Sequence, residues 1–250
     1  MEEKQNNKSL QTQLYYWGNT PTEQDYYNLQ GIKSTKSFFT SPRNLTLFTR
    51  SWLPSAKTPP RGIIFMVHGY GNDISWTFQA TPIQLAKNGF ACFALDLEGH
   101  GQSQDKVRPR WPIPQFLTIL AKFAPTLAIV PTADLLDKSV KVPEKKIIGG
   151  MNPNRYVGKP RLGTVLELLR VTDYVSSKLC DVNLPFLILH GSADVVTDPE
   201  VSRELYQLAK SKDKTLKIYE GMMHSLLFGE TDENVEIVRS DILAWLNDRC

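Results

Sequence analysis

The chain has 250 residues, 41% hydrophobic and 22% charged, which is enough for one domain whose core needs no covalent staples. Twenty-nine Lys and Arg against 26 Asp and Glu leave a formal charge of +3, too slight an excess to point to nucleic acid. Cys92, Cys180 and Cys250 have neither metal-ligand nor disulfide-framework spacing, which fits a reducing compartment. Collagen-like, coiled-coil, disordered and multi-span membrane classes are excluded.

The N-terminal twenty residues are polar and lack the apolar stretch of a secretory signal. Residues 1–34 show no clear period and read as an N-terminal arm. Lys36–Phe39 and Leu45–Trp52 read as a strand pair around the turn Ser41-Pro42-Arg43-Asn44. Arg61–His68 is a continuous apolar run, the pattern of a strand buried on both faces, and it ends in the glycine-rich His68-Gly69-Tyr70-Gly71. A helix is expected over Pro82–Lys87, with Thr81 as cap, Pro82 at its first position, Gln84 completing a capping box and Gly89 stopping it. Phe90–Leu97 is the next buried strand and runs into Glu98-Gly99-His100-Gly101.

Strand, loop, helix, strand is a parallel α/β unit. It then breaks off. Between Asp105 and Pro160 no buried strand is evident, and the most apolar stretch, Pro112–Pro131, is interrupted by Gln115, Lys122 and Pro125. That stretch is a poor spanning helix and a better surface lid or interfacial segment, so the chain reads as a soluble cytoplasmic protein whose route to peripheral membrane contact is this segment. Helical spacing resumes over Gly163–Val175, with Val165, Leu168, Leu169 and Thr172 on one face. A buried strand follows at Pro185–His190, then a helix at Pro199–Ala209 capped by Asp198, a short strand at Thr215–Tyr219 and a terminal helix at Asp232–Asn247.

In open parallel sheets, catalytic groups gather at the carboxyl ends of the strands. Two late strand ends carry Asp194 and then His224, the acid-then-base order of α/β-hydrolases. A buried carboxylate there holds an imidazole in one tautomer and stabilises its protonated form. Asp194 can alternatively serve as a turn former, and His224 as loop structure. His68 and His190, at the ends of buried strands, fit rings that bond backbone near tight turns, and His100 fits a loop-packing role. No His/Cys/Asp cluster has metal-ligand spacing and no Gly-x-Gly-x-x-Gly follows a strand, so no metal or redox cofactor is expected.

His68-Gly69-Tyr70-Gly71-Asn72, Leu95-Asp96-Leu97-Glu98-Gly99-His100-Gly101-Gln102-Ser103 and Leu189-His190-Gly191-Ser192-Ala193-Asp194 resemble the monoacylglycerol lipase branch of the α/β-hydrolases. The Pro-rich Asp105–Pro114, Gly163–Arg170 and Gly221–Glu230 resemble the plant members of that branch, the caffeoylshikimate esterases among them. The resemblance implies a serine esterase acting on a small ester or lipid: a monoacylglycerol, a lysophospholipid or a phenolic ester. It maps the family's acid onto Asp194, its base onto His224 and one oxyanion donor onto the backbone N–H of Tyr70. It makes residues 105–175 a cap or lid inserted into a single 1–250 domain. Trp111, Phe116, Leu117, Ile119, Leu120 and Phe123 would then be pocket or membrane-facing groups, or simply cap core.

The same resemblance exposes a gap. The family needs a serine in Gly-x-Ser-x-Gly at a strand-to-helix turn, between the Gly-His-Gly loop and the cap, and no such pattern occurs in the 250 residues. The nearest string, Gly101-Gln102-Ser103-Gln104-Asp105, lacks the second glycine. Two crossover units are absent at this point, about 60 residues at roughly 30 each, and the second oxyanion donor goes with them. Losing two strands at about 4.8 Å spacing either shifts the flanking halves by about 10 Å or leaves two apolar edges unpaired. The expected fold is therefore an α/β-hydrolase with a mostly parallel central sheet lacking about two central strands, plus a helical cap. The expected activity is that of a family hydrolase in deletion form, inactive as written, with no nucleophile. The alternatives are a non-catalytic module binding a lipid or phenolic ligand, and an enzyme using another serine such as Ser103 or Ser225.

Overall fold

The structure, a computed structural model, describes residues 20–55, 58–104, 135–155 and 162–250. In chain order these form α1 (Glu23–Leu29), β1 (Ile32–Thr40), β2 (Thr46–Pro54), β3 (Gly62–Val67), α2 (Ala80–Lys87) and β4 (Phe90–Leu95). They continue with α3 (Leu135–Ser139), α4 (Pro143–Gly150), α5 (Leu162–Ser176), β5 (Phe186–Gly191), α6 (Pro199–Leu208), β6 (Lys214–Tyr219) and α7 (Asp232–Asn247). They fall into two compact units, one drawn from residues 1–107, 147–156 and 246–250, the other from 108–146 and 157–245. Within the expected cap, residues 105–134, with Trp111 to Phe123, and 156–161 lie outside the described residues. No described helix is long and apolar enough to cross a membrane.

In the first unit the sheet order is β1-β2-β4-β3. The hairpin β1/β2 is antiparallel, β2 pairs antiparallel with β4, and β4 pairs parallel with β3 in the register Phe65 opposite Phe93. Phe48, Trp52, Phe90, Ile74 and Ile83 bury themselves around α2 and the sheet. Three expectations need correction here. The arm contains a helix, α1, whose signal was Thr22-Glu23-Gln24-Asp25: the Thr22 hydroxyl accepts the Asp25 N–H at 3.1 Å, the usual N-cap bond. The capping box at Thr81 does not form, because the 3₁₀ turn Trp76–Gln79 leads straight into α2 and leaves Thr81 and Pro82 inside the helix; Gly89, at φ +91°, does stop it. Finally, β3 is not buried on both faces. Ile63, Phe65 and Val67 stand 63%, 80% and 69% exposed, because the three share one face of the strand and that face is left uncovered among the described residues.

A buried cation anchors α1. The Arg50 guanidinium on β2 donates at 2.6 Å to Gln79 and at 2.6 Å to Glu23, and lies 5.6 Å from the Tyr27 ring centre and 5.9 Å from that of Trp52. The Tyr27 hydroxyl donates to Glu23 at 3.0 Å and also bonds Gln79. Among the described residues the Arg50 Nε is buried without a hydrogen-bond partner, so the charge is held by the two Nη groups, the Glu23 carboxylate and the aromatic faces, the kind of pairing a buried cation needs.

In the second unit β5 and β6 form a parallel pair, His190 opposite Ile218 and Gly191 opposite Tyr219. Tyr219, Met222, Leu226 and Val238 build its core, with Leu189, Leu227 and Ile242 against it. Asp198 caps α6 as expected: its carboxylate accepts the Glu200 N–H at 2.9 Å, with Pro199 in the first turn. The apolar stripe expected on α5 is not buried, since Leu168 and Leu169 are exposed; the side chain of Val165 lies outside the described set.

Burial pushes the Glu23 carboxyl up, but the Lys36 ammonium at 2.5 Å and the Arg50 charge outweigh it and hold the group below the usual carboxylate range. The contribution is therefore present at neutral pH and lost as pH falls through the lowered value. Glu23→Gln leaves Arg50 buried without its counter-charge and is expected to cost about 3 kcal/mol near pH 7. Urea unfolding of both proteins measures this, and the gap between them should narrow on acidification.

Candidate active site

Two adjacent parallel strands deliver their following loops to the same end of the sheet. Beyond β5 and β6 the pairing continues as loop-to-loop bonds: Ser192 N–H to the Tyr219 carbonyl at 2.9 Å, and Ala193 N–H to the Met222 carbonyl at 2.9 Å. The Ser192 hydroxyl accepts the Gly221 N–H at 2.8 Å. Gly191 is required at this seam, since a Cβ there would sit 2.2 Å from the Met222 carbonyl oxygen. Asp194 and His224, 30 positions apart, meet at the end of it, with His224 Nδ1 2.8 Å from Asp194 Oδ2.

The carboxylate is saturated with donors. Oδ1 accepts the N–H groups of Val196 at 2.7 Å and Thr197 at 3.0 Å; Oδ2 accepts the Thr197 hydroxyl at 2.7 Å. Burial alone would raise the Asp194 pKa, but the Thr197 and Val196 N–H groups, the Thr197 hydroxyl and His224 together bring it down to about 2. An ionised carboxylate only accepts, so Nδ1 of His224 carries the proton and donates. All of the described hydrogen bonds of the His224 ring run through Nδ1, and its side chain is 40% exposed. Such an imidazole can take up a proton at Nε2 and have the resulting charge balanced by the acid behind it.

Thr197 is a partner that sequence reading passed over, although Asp194-Val195-Val196-Thr197 has the spacing of a side chain bonding backbone two and three residues on. His190 also reaches the acid. Its Nε2 lies 3.1 Å from Asp194 Oδ2 and 3.1 Å from the Thr197 carbonyl, while Nδ1 lies 2.7 Å from the Ser202 hydroxyl. Both ring nitrogens are thereby spent on holding the loop.

The first unit carries the glycine-rich loops. His68 is buried; its Nδ1 donates to the Gly69 carbonyl at 2.8 Å and its Nε2 accepts the Leu97 N–H at 2.9 Å, tying the loop after β3 to that after β4. Asp96 accepts the N–H groups of Ile74 and Gln102, each at 2.8 Å, and burial pushes its carboxyl up despite them. Gly101, at φ +53°, has no room for a side chain: a Cβ would lie 2.0 Å from Asp96 Oδ2. The Tyr70 ring is half exposed and packs edge-on against His100 at 5.8 Å. Tyr70 belongs to this unit and the Asp194–His224 pair to the other.

Because the folded-state pKa of Asp194 is depressed, its contribution is fully present above the unfolded value near 3.9 and is lost as pH falls toward about 2. Asp194→Asn should therefore be on the order of 2 kcal/mol less stable than the parent at pH 6, with the difference shrinking between pH 4 and pH 2. Denaturant titrations across that window check it.

The chain matches the serine aminopeptidase S33 family (Hydrolase_4) over residues 58–116 and 104–232. It is 37% identical over 305 aligned positions to the caffeoylshikimate esterase of Arabidopsis thaliana, covering 94% of this chain and 91% of that one. It is 29% identical to the human monoglyceride lipase, covering 81% and 87% respectively. Among solved structures it superposes on a soluble variant of the monoglyceride lipase from Saccharomyces cerevisiae with a TM-score of 0.67 at 17% identity, covering 87% of this chain and 97% of that one. The monoacylglycerol lipase of Paleococcus ferrophilus follows at 0.54 and 18%, covering 86% and 98%. The superpositions carry the α/β-hydrolase fold, and the sequence matches carry the lineage: this chain belongs to the serine aminopeptidase S33 family, in the monoglyceride lipase-like branch of the α/β-hydrolases.

Proposed function

We propose that the chain is a serine ester hydrolase of the monoacylglycerol lipase and caffeoylshikimate esterase type in deletion form, keeping the acid and base and lacking the nucleophile. In this reading Asp194 orients and charge-balances His224, His224 is the base, and the backbone N–H of Tyr70 is one oxyanion donor. The substrate class is an acylglycerol, a lysophospholipid or a phenolic ester, bound under a cap formed by residues 105–175. The protein is cytoplasmic, with residues 112–131 as its contact with a lipid surface. The observation that carries the reading is the 2.8 Å bond of His224 Nδ1 to a carboxylate held down to about 2, at the carboxyl ends of adjacent parallel strands. The names of the relatives support the substrate class.

Two observations support the missing nucleophile. Gly-x-Ser-x-Gly occurs nowhere in the 250 residues. The alignment with the Arabidopsis relative runs over 305 positions, more than the whole chain possesses, so a stretch of that relative faces gaps here. Ser103 is a poor substitute because its hydroxyl is already committed, donating to the Asp96 carbonyl at 2.7 Å and accepting the Phe48 N–H at 2.8 Å. Without a nucleophile, only weak catalysis from binding and polarisation remains.

A fluorophosphonate serine-hydrolase probe, read by intact mass beside a thermal melt, tests this. The expected result is no adduct on a chain that melts cooperatively. A stoichiometric adduct overturns the reading and identifies the nucleophile. A saturable rise in Tm with a monoacylglycerol or a caffeoyl ester, without turnover, would recast the protein as a binding module.

A further inference from the structure

The unit that holds Asp194 and His224 contains a second carboxylate, Glu230, which is completely buried. Its Oε1 accepts the Met223 N–H at 2.7 Å, its Oε2 accepts from Asn234 Nδ2 at 3.2 Å, and Lys141 Nζ lies 3.8 Å away. The Glu230 carbonyl in turn accepts from Lys145 Nζ at 2.7 Å, and Lys145 also pairs with Asp232. Lys141 reaches across to the Gly221 carbonyl at 2.9 Å. These contacts hold Glu230 in the turn from β6 to α7, and a carboxylate out of water persists only with partners of this kind.

The bond to Met223 matters because of which peptide it fixes. The Met223 N–H and the Met222 carbonyl belong to one planar peptide group, and that carbonyl accepts the Ala193 N–H at 2.9 Å from the acid's own loop. One rigid plane is thus clamped at both ends: by the loop of Asp194 on its carbonyl side and by Glu230 on its amide side. His224 is the residue after next from that carbonyl, so the plane sets the direction in which the chain presents the imidazole. We infer that Glu230 is a positioning residue, which acts through the Met222–Met223 peptide to hold His224 with Nδ1 turned to Asp194. The inference rests on the proposed reading of Asp194 and His224 as an acid–base pair.

The test reads the ring tautomer of His224 by nitrogen-15 NMR on the full chain at about pH 8.5, roughly two units above the ordinary imidazole pKa. Expected in the parent is the Nδ1–H form. Glu230→Gln, which keeps the shape and an acceptor oxygen, retains it. Glu230→Ala, and the shorter Glu230→Asp, lose it in favour of Nε2–H, with at least tenfold faster exchange of the Met223 amide. Should Glu230→Ala fail to fold, Glu230→Asp carries the comparison. Leu179→Ala, which removes a buried side chain of the same unit away from the clamp, lowers Tm and keeps the Nδ1–H form, separating positioning from general destabilisation. An Nδ1–H parent whose tautomer survives in Glu230→Asp or Glu230→Ala overturns the inference and leaves the pair standing. An Nε2–H parent overturns the pair itself.

Discussion

The parallel pairing of β5 with β6 is the constraint on which the site depends. Strands running the same way bring both carboxyl ends to one edge, and the loops that leave them are then near enough to bond each other. The ladder does not stop where the strands do: Ser192 and Ala193 keep donating to Tyr219 and Met222, and Gly191 permits the approach by having no side chain. Contact between Asp194 and His224 is the last rung of that continuation. A carboxylate with five donors around it has little freedom left, so the geometry of the pair belongs to the sheet more than to either side chain.

The first unit repeats the logic around a different acid. Here β3 and β4 are the parallel neighbours, His68 bridges their loops, and Asp96 gathers the backbone of Ile74 and Gln102. The two buried acids sit in opposite electrostatic settings. Asp194 has hydroxyl, amide and imidazole donors enough to overcome burial, whereas burial dominates at Asp96, beside another buried acid, Asp73. The first is equipped to balance a proton arriving on a neighbouring ring. The second works as a staple, drawing loops inward around a group that Gly101 alone can pass.

Much of this was legible in the chain. Apolar runs ending in glycine-rich turns marked β3, β4 and β5 within a residue or two, because strand and turn chemistry are local. The order of Asp194 and His224 after successive strands could be read for the same reason. What could not be read was whatever depends on neighbours. An apolar run says that a strand could be buried on both faces, and says nothing of whether a partner arrives, which is why Ile63, Phe65 and Val67 are exposed and the stripe on α5 is uncovered. Thr197 and Glu230 were missed because a threonine in a loop and a glutamate near a helix start look like ordinary solvated residues; only the fold shows which amides they face. The helix α1 was missed because its seven residues carry no full apolar period, although its Thr22 cap was in plain view.

The outer face of β3 bears on how this chain behaves in a tube. Gly62 to Val67 carries no charge, no proline and no bulge to discourage another strand, and three large apolar side chains point away from the sheet. Proteins ordinarily guard such an edge. Among the described residues β3 has a neighbour on one side only, and an unpaired edge sets two processes in competition during refolding: folding is unimolecular, while edge-to-edge association scales with concentration. Dilution is therefore expected to raise the share of refolded chain recovered as a single molecule.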